Sequence, residues 1–350
     1  MDPVLIRVAV FIAGLWLLFL ILRSMIRVAL MNRHYRDGIA ELTWRVVYGC
    51  LAVLIPARRD YAARQKVLLW FFPAYTLSLI AVYFIGAMTA FAFLYWGAQA
   101  VSSWHEAFIS SGSALNTLGF ATPTTAVGEW LAIPEGAVGL GIVVFLFTFI
   151  PGYQTIVMSR ESRTAWLYAR AGDQPSGIRL LEWSQRAGVP DDMTDVWEAS
   201  ESWFHTLADT HSISPMLTLA PSVQSGQSWV VAAAAVLDAA ALAASTRETN
   251  AEAAKICVAT GTQSMRLIAE ALGWNSGREK ADVTVARTAY DAVCARLASA
   301  GLRLKADREA SWREYVALRS GYEAVLAFVA DRTFVPLGSS GMYTRNGAGE

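Results

Sequence analysis

The chain has 350 residues, 55% of them hydrophobic and 17% charged, with a mean hydropathy of +0.36. Soluble proteins carry about 25% charged residues, so this composition excludes an ordinary soluble globule and points to a chain partly embedded in lipid. Formal net charge is zero, which leaves no overall electrostatic footprint for nucleic acid.

Residues 3–22, PVLIRVAVFIAGLWLLFLIL, hold one charge, Arg7. About 20 residues at 1.5 Å each span roughly 30 Å, the thickness of the hydrocarbon core. Asp2 precedes this run and RSMIRVALMNRHYR follows it, unlike a cleavable signal peptide with its basic start and small-residue end. We expect an uncleaved N-terminal transmembrane helix within residues 1–32, with Arg7 snorkelling to the near surface. Residues 33–66 are basic yet partly apolar. Their core, ELTWRVVYGCLAVLIP, fits an amphipathic cytoplasmic or interfacial helix, because Arg45 interrupts a crossing.

Residues 67–98 contain no charge and form the clearest predicted membrane helix, longer than a bilayer needs. Tyr95, Trp96 and Trp104 suit its far interface. A second uncharged run, residues 136–159, ends at Arg160, Glu161 and Arg163. Between Gly97 and Glu135 there is no Lys or Arg, whereas both flanks are rich in Arg. The positive-inside rule then places 97–135 outside, with the N-terminus outside and the C-terminus cytoplasmic in a multi-pass protein of the cell membrane. Glu106, Glu129 and Glu135 could draw cations to that outer face; a carboxylate at a helix start is the competing reading of Glu135.

The stretch between the two runs is polar, uncharged and rich in Gly, Ser and Thr: SSGSALNTLGFATPTT, residues 110–125. HEAFISSGSALN is long enough for a helix of roughly 18 Å, half a bilayer. TLGFA follows in extended form and TPTT returns to the surface. Non-helical backbone at membrane depth survives only where protein or a watery cavity surrounds it, and carbonyl oxygens there can replace the water shell of a cation. An ordinary extracellular hairpin is the competing reading.

Outer helix, half-membrane helix, Thr117-Leu118-Gly119-Phe120 and inner helix together resemble the pore module of the potassium-channel family, whose filter reads T-V-G-Y-G or T-I-G-F-G. The resemblance covers residues 67–160 and implies a homotetramer that conducts ions passively. Potassium is the expected ion, with sodium as a second candidate, and neither a cofactor nor a catalytic group is implied. Thr117 would carry the innermost site. Leu118 and Phe120 would point away from the axis and pack on the short helix, while Gly119 permits the unusual backbone angles.

Three positions depart from the family pattern. Ala121 stands at the second filter glycine, where a left-handed backbone would cost about 1–2 kcal/mol relative to Gly. Thr122 replaces the usual acidic residue, and Asn116 a Thr or Ser. Gly139 and Gly141 lie where the family's inner helices bend; close helix packing explains small residues equally well. Pro151 must lose a backbone bond and is expected to kink the helix. The alternative function is a non-conducting, membrane-anchored scaffold or signalling protein that keeps the pore fold.

From Asp173 onward charges and turn residues return, and we expect a helical cytoplasmic domain over 161–350 with a flexible C-terminal tail. SWVVAAAAVLDAAALAAS, residues 228–245, carries Asp238 at its centre. An Asp there costs about 2.5–3.5 kcal/mol on the insertion scale, which favours a buried bundle helix over a fourth span. WFHTLADTHSISPML and the Ala-rich run resemble the cytoplasmic region of uncharacterised bacterial potassium-channel-like membrane proteins, a likeness that implies no activity. His205 and Asp209 share a helix face, but His211 falls out of register, so a capping or core role outweighs a metal site. Cys50, Cys257 and Cys294 have no CxxC spacing and are expected to be reduced packing residues. No nucleotide-binding GxGxxG or P-loop is present, and no helix carries the regular arginines of a voltage sensor. Coupling of this domain to the inner helix is expected through residues 160–175; its ligand or partner is not encoded in any motif. The expected fold class is thus an all-α membrane protein: three transmembrane helices with a re-entrant pore helix and filter loop (67–160), plus the helical cytoplasmic domain.

Overall fold

The computed structural model describes residues 3–30, 37–55, 61–189, 193–247, 251–275 and 285–337. The expected segment boundary at residues 32 and 33, and the expected flexible tail beyond residue 337, lie outside the described residues. Every regular element among them is a helix. Chain order begins α1 (Pro3–Leu30), α2 (Gly38–Leu54), α3 (Tyr61–Leu68), α4 (Phe71–Gly97), α5 (Trp104–Leu115) and α6 (Ala126–Ala171). It continues α7 (Gly177–Arg186), α8 (Thr194–His211), α9 (Pro215–Leu219), α10 (Trp229–Thr246), α11 (Ala251–Ala271), α12 (Arg287–Ser299), α13 (Arg308–Ser320) and α14 (Glu323–Arg332).

Two compact units emerge, and their boundaries differ from the predicted segments. Met1–Ile55 with Trp70–Gln154 form one; Pro56–Leu69 with Thr155–Glu350 form the other. The basic segment 33–66 is therefore divided, with α2 in the first unit and α3 in the second.

In the first unit α1 packs along α4 through glycines. A Cβ on Gly14 would approach the Ala90 carbonyl oxygen to 2.8 Å, and one on Gly97 the Arg7 carbonyl oxygen to 2.9 Å. Such small residues let apolar helices meet backbone to backbone. Arg7 lies over the Trp96 ring, 5.3 Å from its centroid, an aromatic partner beside the expected snorkelling position. The buried stripe of α4, Leu79, Tyr83, Ala87, Ala90 and Leu94, recurs every three or four residues. Asp37 caps α2 by accepting the Ile39 and Ala40 amides at 3.1 and 3.0 Å, and Ser24 of α1 donates to the same carboxylate at 2.6 Å. Thr43 and Val47 of α2 are buried, while Leu42, Val46, Val53 and Leu54 are exposed. This apolar exposed face lies beside an Arg45–Glu41 pair. Cys50 on this helix is exposed, so only Cys257 and Cys294 are packing cysteines.

In the second unit α10 is the core. Every residue of it except Val231 is buried. Its alanines admit neighbours on all sides: a Cβ on Gly177 of α7 would meet the Ala239 amide nitrogen at 2.5 Å. Asp238 accepts from the Tyr322 hydroxyl at 2.7 Å and lies 3.7 Å from Arg319, which pairs a charge that burial would otherwise make costly. Among the described residues four helical stretches are long and apolar enough to cross a membrane: Val4–Val28, Tyr61–Gly97, Ala126–Ala171 and Trp229–Thr246. The last is α10, whose apolar surface is already covered by protein.

A second buried charge organises the loop before α10. Arg160 of α6 donates to the carbonyls of Leu217 and Ala220 at 3.0 Å each and of Pro221 at 3.2 Å. Gln65 of α3 holds the same loop, donating to Ser222 and Gln224 carbonyls at 2.6 and 2.9 Å and accepting the Gly226 amide at 2.8 Å. Arg160 thus belongs to the interior of this unit, and α6 runs through it to Ala171 without a break. The expected connector over 160–175 is mostly helix.

Candidate functional site

The site is built where α5, the loop 116–125 and the start of α6 meet, all within the first unit. Ser103 caps α5 by accepting the Glu106 amide at 3.2 Å, and Glu106 reaches back to the Ser102 hydroxyl and amide at 2.7 and 2.9 Å. Those bonds hold the exposed Glu106 carboxyl below the usual carboxylate range. Its charge stands at the positive end of α5.

α5 and α6 run side by side in matched register. A Cβ on Gly139 would fall 1.9 Å from the Leu115 carbonyl oxygen, and one on Gly136 lies 3.6 Å from that of Ala114. One turn earlier on both helices, Ser111 meets Glu135. Gly139 lies thirteen residues into α6, roughly 20 Å at 1.5 Å per residue, and the loop must climb back that distance. Gly139 is therefore a contact that excludes any side chain. Gly141 faces open space. Pro151 lies inside α6 together with Pro134, and helix is maintained through both; each leaves one carbonyl without its usual helical donor.

The amides of Asn116, Thr117, Leu118, Gly119 and Ala121 turn back to α5. Asn116 N and its side-chain Nδ2 donate to Gly112 O at 3.3 and 2.9 Å. Thr117 N donates to Ala114 O at 3.0 Å, Leu118 N and Gly119 N to Ser113 O at 2.9 and 3.5 Å, and Ala121 N to Ser113 Oγ at 3.0 Å. Among the described residues no donor is directed at the backbone carbonyls of Asn116 through Ala121. The expected extended form is not observed. Thr117 (φ +55°) and Gly119 (φ +71°) are left-handed, two residues apart. Ala121 is not among the left-handed residues, so the strain weighed for it falls instead on Thr117, a β-branched residue that rarely adopts this conformation.

Leu118 and Phe120 do not pack on α5; they are 66% and 68% exposed. The buried face of α5 consists of Ala107, Ser110, Ser111, Ser113 and Leu115, mostly too short to cover them. Thr122 is exposed as well. Thr125 anchors the far end of the loop, donating to Ala100 O at 3.1 Å and accepting the Gly128 amide at 3.2 Å.

Sequence reasoning missed three participants. Tyr95, expected at the membrane interface, is buried and donates to Glu135 Oε2 at 2.7 Å; Trp96 and Trp104 do stack on one another, at 4.6 Å between ring centroids. Glu135 itself is buried, so it cannot draw ions to an outer mouth, whereas Glu106 and Glu129 are exposed. Ser113 holds three loop amides, and only its place in a run of small polar residues hinted at that work. His205, Asp209 and His211 do not converge: His205 is exposed near Glu201, and His211 is buried beside Arg160. No group of three His, Cys, Asp or Glu side chains suited to a metal occurs among the described residues. Comparison with protein-family models, with curated proteins and with solved structures finds no match to this chain.

Proposed function

We propose that four copies of this chain surround a pore that passes monovalent cations, with potassium preferred, and that residues 117–121 form its filter. One observation carries the reading: the amides of Thr117, Leu118, Gly119 and Ala121 are committed to α5, while among the described residues no donor reaches the loop's carbonyls. A run of unclaimed carbonyl oxygens is a ligand set for a cation that has shed its water. The left-handed backbone at Thr117 and Gly119 supports the reading, since such residues let neighbouring peptide groups face one side, as backbone nests do with the opposite polarity. α5 is half a membrane long, and the helices on either side are long and apolar. Polar backbone at that depth cannot face lipid. The exposed Leu118, Phe120, Trp130 and Ile133 around it also need cover, which a ring of like copies supplies. Thr117 adds a hydroxyl at the innermost position. The charge pattern favours Glu106 and Glu129 on the outer side.

The full chain in vesicles is expected to pass potassium faster than sodium, with block by barium. Gly119→Val is expected to abolish flux while the oligomer survives, because its left-handed φ of +71° strains a β-branched side chain and the loop already carries one such strain at Thr117. An intact oligomer of the wild type that passes neither ion would favour the scaffold reading. Unchanged current in Gly119→Val would remove the filter assignment.

A further inference from the structure

We propose that Glu135 is a positioning residue held as a neutral carboxylic acid, and that its proton locks α5, and the loop α5 carries, against α4 and α6. The inference deepens the pore reading and rests on it for its functional consequence, but its chemical part stands on geometry alone.

Glu135 projects from α6 into a site closed to solvent. Its Oε2 lies 2.7 Å from the Tyr95 hydroxyl of α4, and its Oε1 meets the Ser111 hydroxyl of α5. Ser111 Oγ also lies 2.9 Å from the Met88 carbonyl oxygen of α4. A peptide carbonyl only accepts, and a hydroxyl has one proton to give. With Glu135 ionised, the Tyr95 and Ser111 protons must serve three contacts, which leaves either the Met88 carbonyl or a carboxylate oxygen unserved. With Glu135 protonated the chain closes. Ser111 donates to Met88, Glu135 donates to Ser111, and Tyr95 donates to Glu135. Among the described residues Tyr95 is the one titratable group that bonds to the carboxyl from the packed elements, and no ion pair reaches Glu135. A buried carboxylate without a cationic partner is costly, whereas a neutral acid with both oxygens bonded is not.

The link acts on the loop through α5. Ser111 stands two residues before Ser113, which holds the amides of Leu118, Gly119 and Ala121. The Ser111–Glu135 link and the Leu115–Gly139 contact sit one helical turn apart on both helices, so together they fix rotation and translation of α5. A loosened α5 moves the Ser113 anchor and the carbonyls that hang from it.

The test compares the wild type with Glu135→Gln and Glu135→Ala, each as the full chain in lipid vesicles. A Gln amide reproduces the acid's pattern, donating to Ser111 and accepting from Tyr95. Infrared difference spectra of wild type minus Glu135→Gln at neutral pH should contain the carbonyl band of a neutral carboxylic acid. Carboxylate bands in its place would overturn the proposal, whether or not the vesicles conduct. In vesicles that conduct, Glu135→Gln should keep the potassium-over-sodium ratio. Glu135→Ala should lower it about tenfold, the effect of roughly one buried hydrogen bond. An equal loss in both variants would also overturn the proposal, since it would make the negative charge the working feature. If Glu135→Ala fails to assemble, the infrared comparison and Glu135→Gln still decide.

Discussion

Thr117 is the residue at which local preference and the surrounding structure conflict. Its φ of +55° is maintained because its amide is tied to Ala114 and the next two to Ser113. Left-handed strain costs an L residue roughly 1–2 kcal/mol, partly offset by the stiffer unfolded chain. Thr117→Gly is therefore expected to raise stability by about 0.5–1 kcal/mol, and Gly119→Ala to lower it by a similar amount, since space is open at Gly119 but φ is +71°. Thermal unfolding of the purified protein in detergent measures both; the same sign for the two would refute the account. Gly119 was legible in the sequence as a site of unusual backbone. That Thr shares the burden with Gly, and that Ala121 escapes it, was not legible, because handedness follows from which amides Ser113 captures.

At the scale of elements, α5 was predictable nearly to the residue: Ser103 supplies a cap, Glu106 the return bond, and Asn116 ends the run. Its register on α6 was not. A glycine in a helix reads alike whether it bends, packs or does nothing, and Gly139 and Gly141 are distinguished only by what lies across from them. Gly139→Ala would force α5 away from α6 and is expected to destabilise the first unit by about 1–3 kcal/mol. Gly141→Ala adds a methyl into open space and should be neutral or stabilising by up to about 1 kcal/mol. Unfolding midpoints of the two variants separate the readings; a harmless Gly139→Ala would mean that the close approach does not persist. α10 shows the opposite balance. Its composition resembled a membrane span, and Asp238 at its centre argued otherwise. The partners that make Asp238 tolerable, Tyr322 and Arg319, come from far along the chain.

For the whole molecule, buried polar groups set the response to pH. His211 Nε2 lies 3.4 Å from Arg160 Nη1, whose two protons already go to the Leu217 and Ala220 carbonyls, so a protonated ring would set one buried cation against another and the ring is held neutral. Burial first, and the Arg160 charge second, push its pKa well below the usual 6.5. Above that value the folded and unfolded states both hold neutral histidine and no pH dependence arises. As pH falls through 6.5 the unfolded chain takes a proton that the folded chain refuses, so stability should drop by up to about 1.4 kcal/mol per pH unit. Denaturant unfolding between pH 7 and 5 checks this, and His211→Gln should flatten the dependence; an equal slope in the variant would assign it elsewhere. Composition and hydropathy by themselves determined that the chain is helical, that several helices suit a membrane, and that a polar half-helix interrupts them, because these follow from runs of side-chain chemistry along one strand of sequence. Only the tertiary structure decided that Glu135 is interior, that Arg160 and Gln65 grip one loop, and that the carbonyls of 116–121 are unclaimed. Each of those depends on which distant atoms arrive within hydrogen-bond reach, and pairing across tens or hundreds of residues leaves no periodic mark in the sequence.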